Sequence, residues 1–308
     1  MPGTCDGAMS AESGPARESS RKVAIIGSGR VGTAMALLLS ERGYDVVSVA
    51  DPEQQARTRA AGFSGAEPVA DDVEAAGLAD TIVITTPDSA IASTCRRIVD
   101  SGIEVRGKKF VHMSGALSLT ALEPARQAGA QILSIHPLQT FADIQGAVKA
   151  LPGSTFGVTC DPSLEGWASV FVSDLEGTMQ LIKDEDKVLY HAAAVMASNF
   201  LAMVEYAALT IARGLGFSDD AFAVAFAPLY RASVENVARL GPVEALTGPL
   251  VRGDAGTIEK RLSTLADFDP ELATLYSRVC LWGLNLVEER GNLDTATVEK
   301  MRALLEQT

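Results

Sequence analysis

Lys22-Val-Ala-Ile-Ile-Gly27-Ser28-Gly29-Arg30-Val31-Gly32 is a β-branched run that passes at once into G-x-G-x-x-G and then into the helical Thr33-Ala-Met-Ala-Leu-Leu-Leu-Ser-Glu-Arg-Gly43. A strand before the glycines and a helix after them is the context that makes this motif a dinucleotide fingerprint. Gly27 allows the tight turn, Gly29 lets the backbone approach a pyrophosphate, and Gly32 lets helix and strand pack closely. Ser28, Arg30 and Val31 complete the loop, with the helix N-terminus facing the anion. An ordinary βα turn without a ligand is the bland alternative.

The next strand, Asp45-Val-Val-Ser-Val-Ala-Asp51, ends on an acid. In this fold such an acid accepts hydrogen bonds from the adenosine ribose hydroxyls and repels a 2′-phosphate. Asp51 therefore favours NAD over NADP as the cofactor, with Arg30, Arg57 and Arg59 close enough in sequence to rescue a phosphate. Thr81-Ile-Val-Ile-Thr-Thr86-Pro87-Asp88 is a continuous apolar run of the kind a strand shows when both faces are covered in a parallel sheet. Its C-terminal end should face the ligand crevice, and Asp88 is read either as a helix cap or as a nicotinamide-ribose contact. Two further strands run into polar turns, Lys109-Phe-Val-His112-Met-Ser114-Gly115 and Gln131-Ile-Leu-Ser-Ile-His136-Pro137. Ser114 and His136 stand where an open α/β sheet places substrate-facing groups. His112, inside its strand, reads as a satisfied internal histidine. His136 is either a site residue or a hydrogen-bonder pinning the Pro137 turn. Residues 154–160 and 178–182 add two late strands.

From residue 183 onward no convincing strand appears. The fold class is therefore α/β: a Rossmann doubly wound parallel sheet at 21–182, then an all-helical domain at 183–308 for substrate and dimerisation, with residues 1–20 a disordered tail. No Gly/Ser linker separates the halves, which implies domains packed together. The helical half opens on Lys187-Val-Leu-Tyr-His191-Ala-Ala-Ala-Val-Met-Ala-Ser198-Asn199-Phe-Leu-Ala-Met-Val-Glu205. With no Gly or Pro to about Arg213, it should be one helix of roughly 40 Å, too apolar for a surface helix. At about 100° per residue Lys187, His191, Ser198 and Glu205 form a narrow polar stripe. That stripe is either a solvated face or a site, and its narrowness favours a site. Farther on, Ala245-Leu-Thr247-Gly-Pro-Leu-Val-Arg252-Gly-Asp254 is dense in special residues. It reads as a binding loop, with Thr247, Arg252 and Asp254 as substrate contacts, or as a plain turn capped by Asp254.

Over 308 residues the formal net charge is −13, with 47% hydrophobic and 21% charged residues. The acidic balance argues against nucleic acid and against an anionic membrane surface as partners. Four scattered cysteines suggest neither a disulfide framework nor a metal site, and fit a reducing cytoplasm.

The N-terminal dinucleotide motif followed by Lys187-x-x-x-His191 resembles the 6-phosphogluconate and β-hydroxyacid dehydrogenase superfamily. More closely, Ser114-Gly-Ala-Leu-Ser, His136-Pro-Leu-Gln-Thr-Phe, Lys187-Val-Leu-Tyr-His191 and Ala245-Leu-Thr-Gly-Pro-Leu-Val-Arg-Gly-Asp254 resemble Rossmann-like proteins with a C-terminal helical domain of unknown function, often grouped with ketopantoate reductase. The likeness covers roughly residues 22–265. It implies an NAD(P)H-dependent reductase of a small 2-oxo acid or imine, and a homodimer built through the helical domain. His191 stands where those relatives have Asn. Lys187 is then the expected general acid, with His191 and Ser198 or Asn199 orienting the substrate and Arg252 clamping its carboxylate. The His-Pro turn also resembles prephenate and arogenate dehydrogenases, which keeps an oxidation open. A non-catalytic redox sensor is the competing class.

Overall fold

The computed structural model describes residues 21–307; the tail read at 1–20 lies outside them. The elements run β1 (Lys22–Ile26), α1 (Arg30–Glu41), β2 (Asp45–Ala50), α2 (Gln54–Ser64), β3 (Glu67–Val69), α3 (Asp72–Leu78), β4 (Thr81–Ile84), α4 (Asp88–Asp100), β5 (Lys109–His112), α5 (Glu123–Gln127), β6 (Gln131–Pro137), α6 (Ile144–Ala150), β7 (Thr155–Cys160), α7 (Glu165–Asp174) and β8 (Thr178–Leu181). Then come α8 (Lys187–Ala197), α9 (Asn199–Gly214), α10 (Asp219–Leu240), α11 (Pro242–Ala245), α12 (Pro249–Arg252), α13 (Ala255–Phe268), α14 (Pro270–Arg290) and α15 (Thr295–Leu305).

The eight strands form one sheet in the order β3-β2-β1-β4-β5-β6-β7-β8, whose first six positions follow the doubly wound dinucleotide-binding order. The apolar runs divide by alternation into two cores. Val23, Ile25, Val83 and Val111 pack under α1, α6 and α7, while Ala24, Ile26, Ile82 and Phe110 pack under α3, α4 and α5. Because both faces are covered, the strands show no polar alternation. The expected parallel sheet needs one correction: β7 runs antiparallel to β6, pairing His136 with Gly157. The sequence reading also passed over β3, whose Glu67-Pro-Val69 carries a proline that only an edge strand tolerates.

Two compact units emerge, one running as far as Ser198 and the other from Asn199. The division differs from the expected boundary at 182/183 because α8 is anchored to the sheet by its first residue. Lys187 is 1% exposed, and its Nζ donates to the Ser114 carbonyl and the Ser134 hydroxyl. The single helix expected over 187–213 is broken at Ser198, whose backbone leaves helical geometry (φ −126, ψ −71) while its hydroxyl donates to the Ala194 carbonyl at 2.7 Å. Such back-bonding competes with the helix ladder and bends helices. Polarity on α8 is inverted relative to an ordinary surface helix, since Lys187 is buried while Val188 and Leu189 are more than 70% exposed. The Asp184–Gly214 run passes for a membrane span by length and composition alone. Its buried lysine and half-buried His191 and Glu205 make a bilayer a poor environment for it. Every regular element among the described residues of the second unit is a helix, and its core includes Ile258, Leu284, Val287 and Met301.

At the heart of the first unit α1 meets β1 with almost no clearance. A Cβ at Gly32 would lie 1.9 Å from the Gly27 carbonyl oxygen and 2.5 Å from Thr85 Oγ1, whereas one at Gly29 would meet nothing within 4 Å. Gly32→Ala should therefore destabilise by about 1–3 kcal/mol, the scale of overpacking, or roughly 2–4 °C of Tm per kcal/mol. Gly29→Ala should stay within about 0.5 kcal/mol of the parent. Thermal unfolding of both variants checks this, and equal midpoints would contradict the packing described.

Candidate active site

The glycine turn is latched from two sides. Gly27 has φ +99, and its missing Cβ leaves room for the Thr86 backbone, 2.7 Å from where that carbon would stand. Thr85 Oγ1 donates to the Gly27 carbonyl at 2.5 Å, tying the end of β4 to the end of β1. The half-buried Asp51 accepts from the Ser28 N–H at 2.7 Å through one oxygen and from the Glu53 N–H at 2.9 Å through the other. Arg57 donates to the Asp51 and Pro52 carbonyls and Arg59 to the Ser28 carbonyl, so two guanidiniums share this corner. Arg30 is exposed and donates to the Phe141 carbonyl at 3.4 Å, while Val31 packs on the core. Gly29 caps α1 with no side-chain partner and no acid in the first turn, so the open space beside it faces unpaired helix N–H groups. Thr86 Oγ1 is buried without a hydrogen-bond partner among the described residues. An open helix start and an orphaned hydroxyl beside it fit the pyrophosphate and ribose of a dinucleotide.

The end of β5 is fixed by side chains from three other elements. Ser114 Oγ donates to Asp88 at 2.8 Å and accepts from the Ala116 and Leu117 N–H groups. Asp88 thus departs from the capping role: Pro87 is the N-cap of α4, and the Asp88 carboxylate reaches across to Ser114 instead. Lys187 Nζ lies 3.2 Å from the Ser114 carbonyl oxygen and 2.6 Å from Ser134 Oγ. Asp184, just before α8, accepts from Ser118 Oγ at 2.5 Å and from the Leu119 N–H at 2.7 Å. Burial lowers the Lys187 ammonium to about 8, against the pull of the Asp184 and Asp88 carboxylates. The expected lysine at a cleft is thus a buried one, set behind the Ser114–Gly115 turn.

His136, the last residue but one of β6, has its Nδ1 3.0 Å from the Tyr190 hydroxyl. Its ring stands edge-on to Tyr190 and to His191, with centroids 5.6 and 5.8 Å away. Gly115 makes this possible, because a Cβ there would lie 2.5 Å from His191 Cδ2 and 2.9 Å from His136 Nε2. Burial first, then His191 and Lys187, lowers His136 to about 4. His112 is lowered to about 3 by burial and by Lys187. The reading of His112 as a satisfied histidine holds for Nδ1, which accepts from the Ser114 N–H at 3.3 Å. It fails for Nε2, which is buried without a partner among the described residues.

The structure thus brings Lys187, His191, Ser114, His136 and Asp88 together. Ser198 forms the break after α8, with its hydroxyl on Ala194, and Asn199 opens α9. In the second unit Thr247 and Arg252 are exposed, and Asp254 is the N-cap of α13, accepting from the Thr257 N–H and hydroxyl. Asp254 is accordingly a capping residue, as the plainer reading had it. Sequence reasoning missed Ser134, Tyr190 and Asp184. A serine inside the apolar run Gln131-Ile-Leu-Ser-Ile was the one available signal for Ser134, and Tyr190 stood beside His191 without joining the polar stripe.

Residues 8–137 match the Rossmann-like domain family, and residues 154–281 match a domain of unknown function (DUF2520). Among curated proteins no match is found. A solved candidate NADP oxidoreductase from Bacteroides fragilis is 25% identical, covering 85% of this chain and 98% of its own, with a TM-score of 0.70. A protein from Thermotoga maritima is 20% identical, covering 87% and 99%, with a TM-score of 0.67. The imine reductase of Streptomyces aurantiacus is 16% identical, covering 91% and 99%, with a TM-score of 0.62.

The two lowered histidines make stability depend on acid. Both titrate near 6.5 when unfolded, so the folded protein binds fewer protons below that pH. Their contribution is complete above about pH 6.5 and is lost as the pH falls through about 4 for His136 and about 3 for His112. In His136→Gln, which cannot titrate, the drop in Tm between about pH 7 and pH 4 should be smaller than in the parent. An equal drop in the two proteins would show that His136 is not held neutral.

Proposed function

We propose that the protein is an NAD(P)H-dependent reductase of a small carbonyl or imine compound. The observation that carries this is one of position. The carboxyl ends of β1, β4, β5 and β6 bring the glycine turn, Thr86, Ser114 and His136 to one edge of one sheet, with Lys187 behind them. Open α/β sheets bind their ligands at that edge. A reduced nicotinamide, when bound, supplies a hydride to the substrate carbon. The chain must orient the acceptor, exclude water and supply the balancing proton. Lys187 is the group suited to give that proton, because burial brings its ammonium close to neutrality and two of its three N–H bonds are committed to Ser114 and Ser134. The similarities to an NADP oxidoreductase and an imine reductase support the reductase reading.

The finer substrate reading, a 2-oxo acid of ketopantoate type within the 6-phosphogluconate and β-hydroxyacid dehydrogenase superfamily, rests on the motif resemblance alone. For the cofactor, Asp51 favours NADH, and Arg57 and Arg59 at the same corner are placed to accept a 2′-phosphate. Free thiols at Cys95, Cys160 and Cys280 agree with a cytoplasmic setting. The proposed assembly is a homodimer covering the apolar residues that a single chain exposes, among them Leu189, Met203 and Leu229 and the 70% exposed Trp282.

Absorbance of NADH and NADPH against a panel of 2-oxo acids, cyclic imines and prephenate should reveal turnover with a carbonyl or imine member. Binding without turnover across the panel would favour the redox sensor, and aromatic product from prephenate would favour the oxidation. Lys187→Met should lower kcat by about 10²–10⁴-fold, the scale of general acid catalysis. Parent activity should fall as pH rises past about 8, where Lys187 loses its proton. A flat profile through that pH would remove Lys187 from the chemistry. Separately, light scattering at micromolar concentration should return twice the 32.3 kDa chain mass, and a monomer with undiminished turnover would reject the dimer.

A further inference from the structure

Ser134 puts a hydroxyl inside β6, between the apolar Leu133 and Ile135, and is fully buried. A buried hydroxyl has one proton to give and lone pairs that accept, and leaving either unmet is costly. The proton goes to the Ser114 carbonyl oxygen, 3.3 Å from Ser134 Oγ. The neighbours of Ser134 across the sheet offer no donor for the lone pairs. Thr159 on β7 gives its own proton to the Ile182 carbonyl, and His112 on β5 turns Nδ1 to the Ser114 N–H while its Nε2 has no partner among the described residues. Lys187 fills that place, with Nζ 2.6 Å from Ser134 Oγ. An ammonium can only donate, so the direction of this bond is fixed while the lysine is charged.

The charge has few other supports. The two carboxylates that pull on it, Asp184 and Asp88, are bonded elsewhere, the first to Ser118 and Leu119 and the second to Ser114. His112 and His136, on β5 and β6, are uncharged where the lysine titrates, because burial holds them at about 3 and about 4. The acceptors left to an ammonium that is 1% exposed are two neutral oxygens, the Ser114 carbonyl and the Ser134 hydroxyl. The first belongs to the backbone, so the second is the acceptor that a side chain supplies.

We propose that Ser134 is a positioning residue for the reaction: its hydroxyl, with its own proton turned to the Ser114 carbonyl, accepts from Lys187 and so holds the ammonium in place and in its charged form for proton delivery. This deepens the reductase reading and rests on it only where turnover is measured.

One test is independent of turnover. In full-length protein carrying ¹³C-labelled lysine, the Lys187 Cε signal, identified by its loss in Lys187→Met, should titrate near 8. In Ser134→Ala, which removes one of the two acceptors, that midpoint should fall by about one pH unit or more, the scale of one hydrogen bond to a charged group. Ser134→Thr keeps the hydroxyl and should stay near the parent midpoint. An unchanged midpoint in Ser134→Ala, or one in Ser134→Thr as low as that of Ser134→Ala, would overturn the proposal. If Ser134→Ala does not fold, adding Lys187→Met should restore folding, because no ammonium is then left short of an acceptor; a double variant that still fails to fold would overturn it equally. The second test reads activity. With a substrate found in the panel, Ser134→Ala should lower kcat about three- to tenfold near pH 7.5 and far less near pH 6, where Lys187 is largely charged in both proteins. A loss of the same size at both pH values is what a merely structural serine gives, and it too would overturn the proposal. Midpoints as expected in a protein that turns over nothing would refute the reductase reading and leave the hold of Ser134 on Lys187 standing.

Discussion

A single buried ammonium organises the site. Charge taken out of water is costly unless acceptors surround it, and Lys187 finds its acceptors on two adjacent strands, the Ser114 carbonyl just after β5 and the Ser134 hydroxyl within β6. Satisfying that cation fixes the rotation of α8 about its axis. The first five residues of the helix then set Tyr190 over Gly157 and His191 beside Gly115. Asp184 secures the approach by holding Ser118 and Leu119, and Asp88 secures the far side of the turn through Ser114. The glycine loop is held independently, by Asp51 and Thr85. The dinucleotide cradle and the polar knot are thus separately built and share only the sheet edge.

Much of this is legible in the sequence, and the divide between read and unread follows the range of the interactions. The strands and glycine turn declare themselves because β-branched runs, turn glycines and helix starts are local signals. Asp88 reads as a cap or as a ribose contact, the cap because Pro87-Asp88 before a helix satisfies the local rule, while its partner in the fold, Ser114, lies 26 residues away. The break at Ser198 has no glycine or proline to announce it, only a hydroxyl bonding back one turn. The antiparallel β7 is equally silent, since strand direction leaves no mark in residue composition.

The polar stripe of α8 shows the same limit more sharply. Its period is visible, but periodicity does not say which face looks inward. The default puts charge outside. Two acceptors from the sheet reverse that default, drawing Lys187 in and leaving Val188 and Leu189 outside. Tyr190 escapes notice for a related reason: a tyrosine in an apolar helix reads as packing, and its hydroxyl acquires meaning only from His136 and Gly157, which are distant in sequence.

Gly115 and Gly157 give the site an uneven tolerance to change. His136 and Tyr190 each lean on a backbone carbon that carries no side chain, at 2.8 and 2.5 Å from where one would begin. A polar residue in such a cluster can be exchanged for a near relative and leave a weakened but recognisable arrangement. The smallest step away from glycine, a single methyl, moves a ring. Divergence among descendants of this chain should therefore run through the side chains that touch the ligand, while the two bare backbone positions stay fixed even where the chemistry drifts.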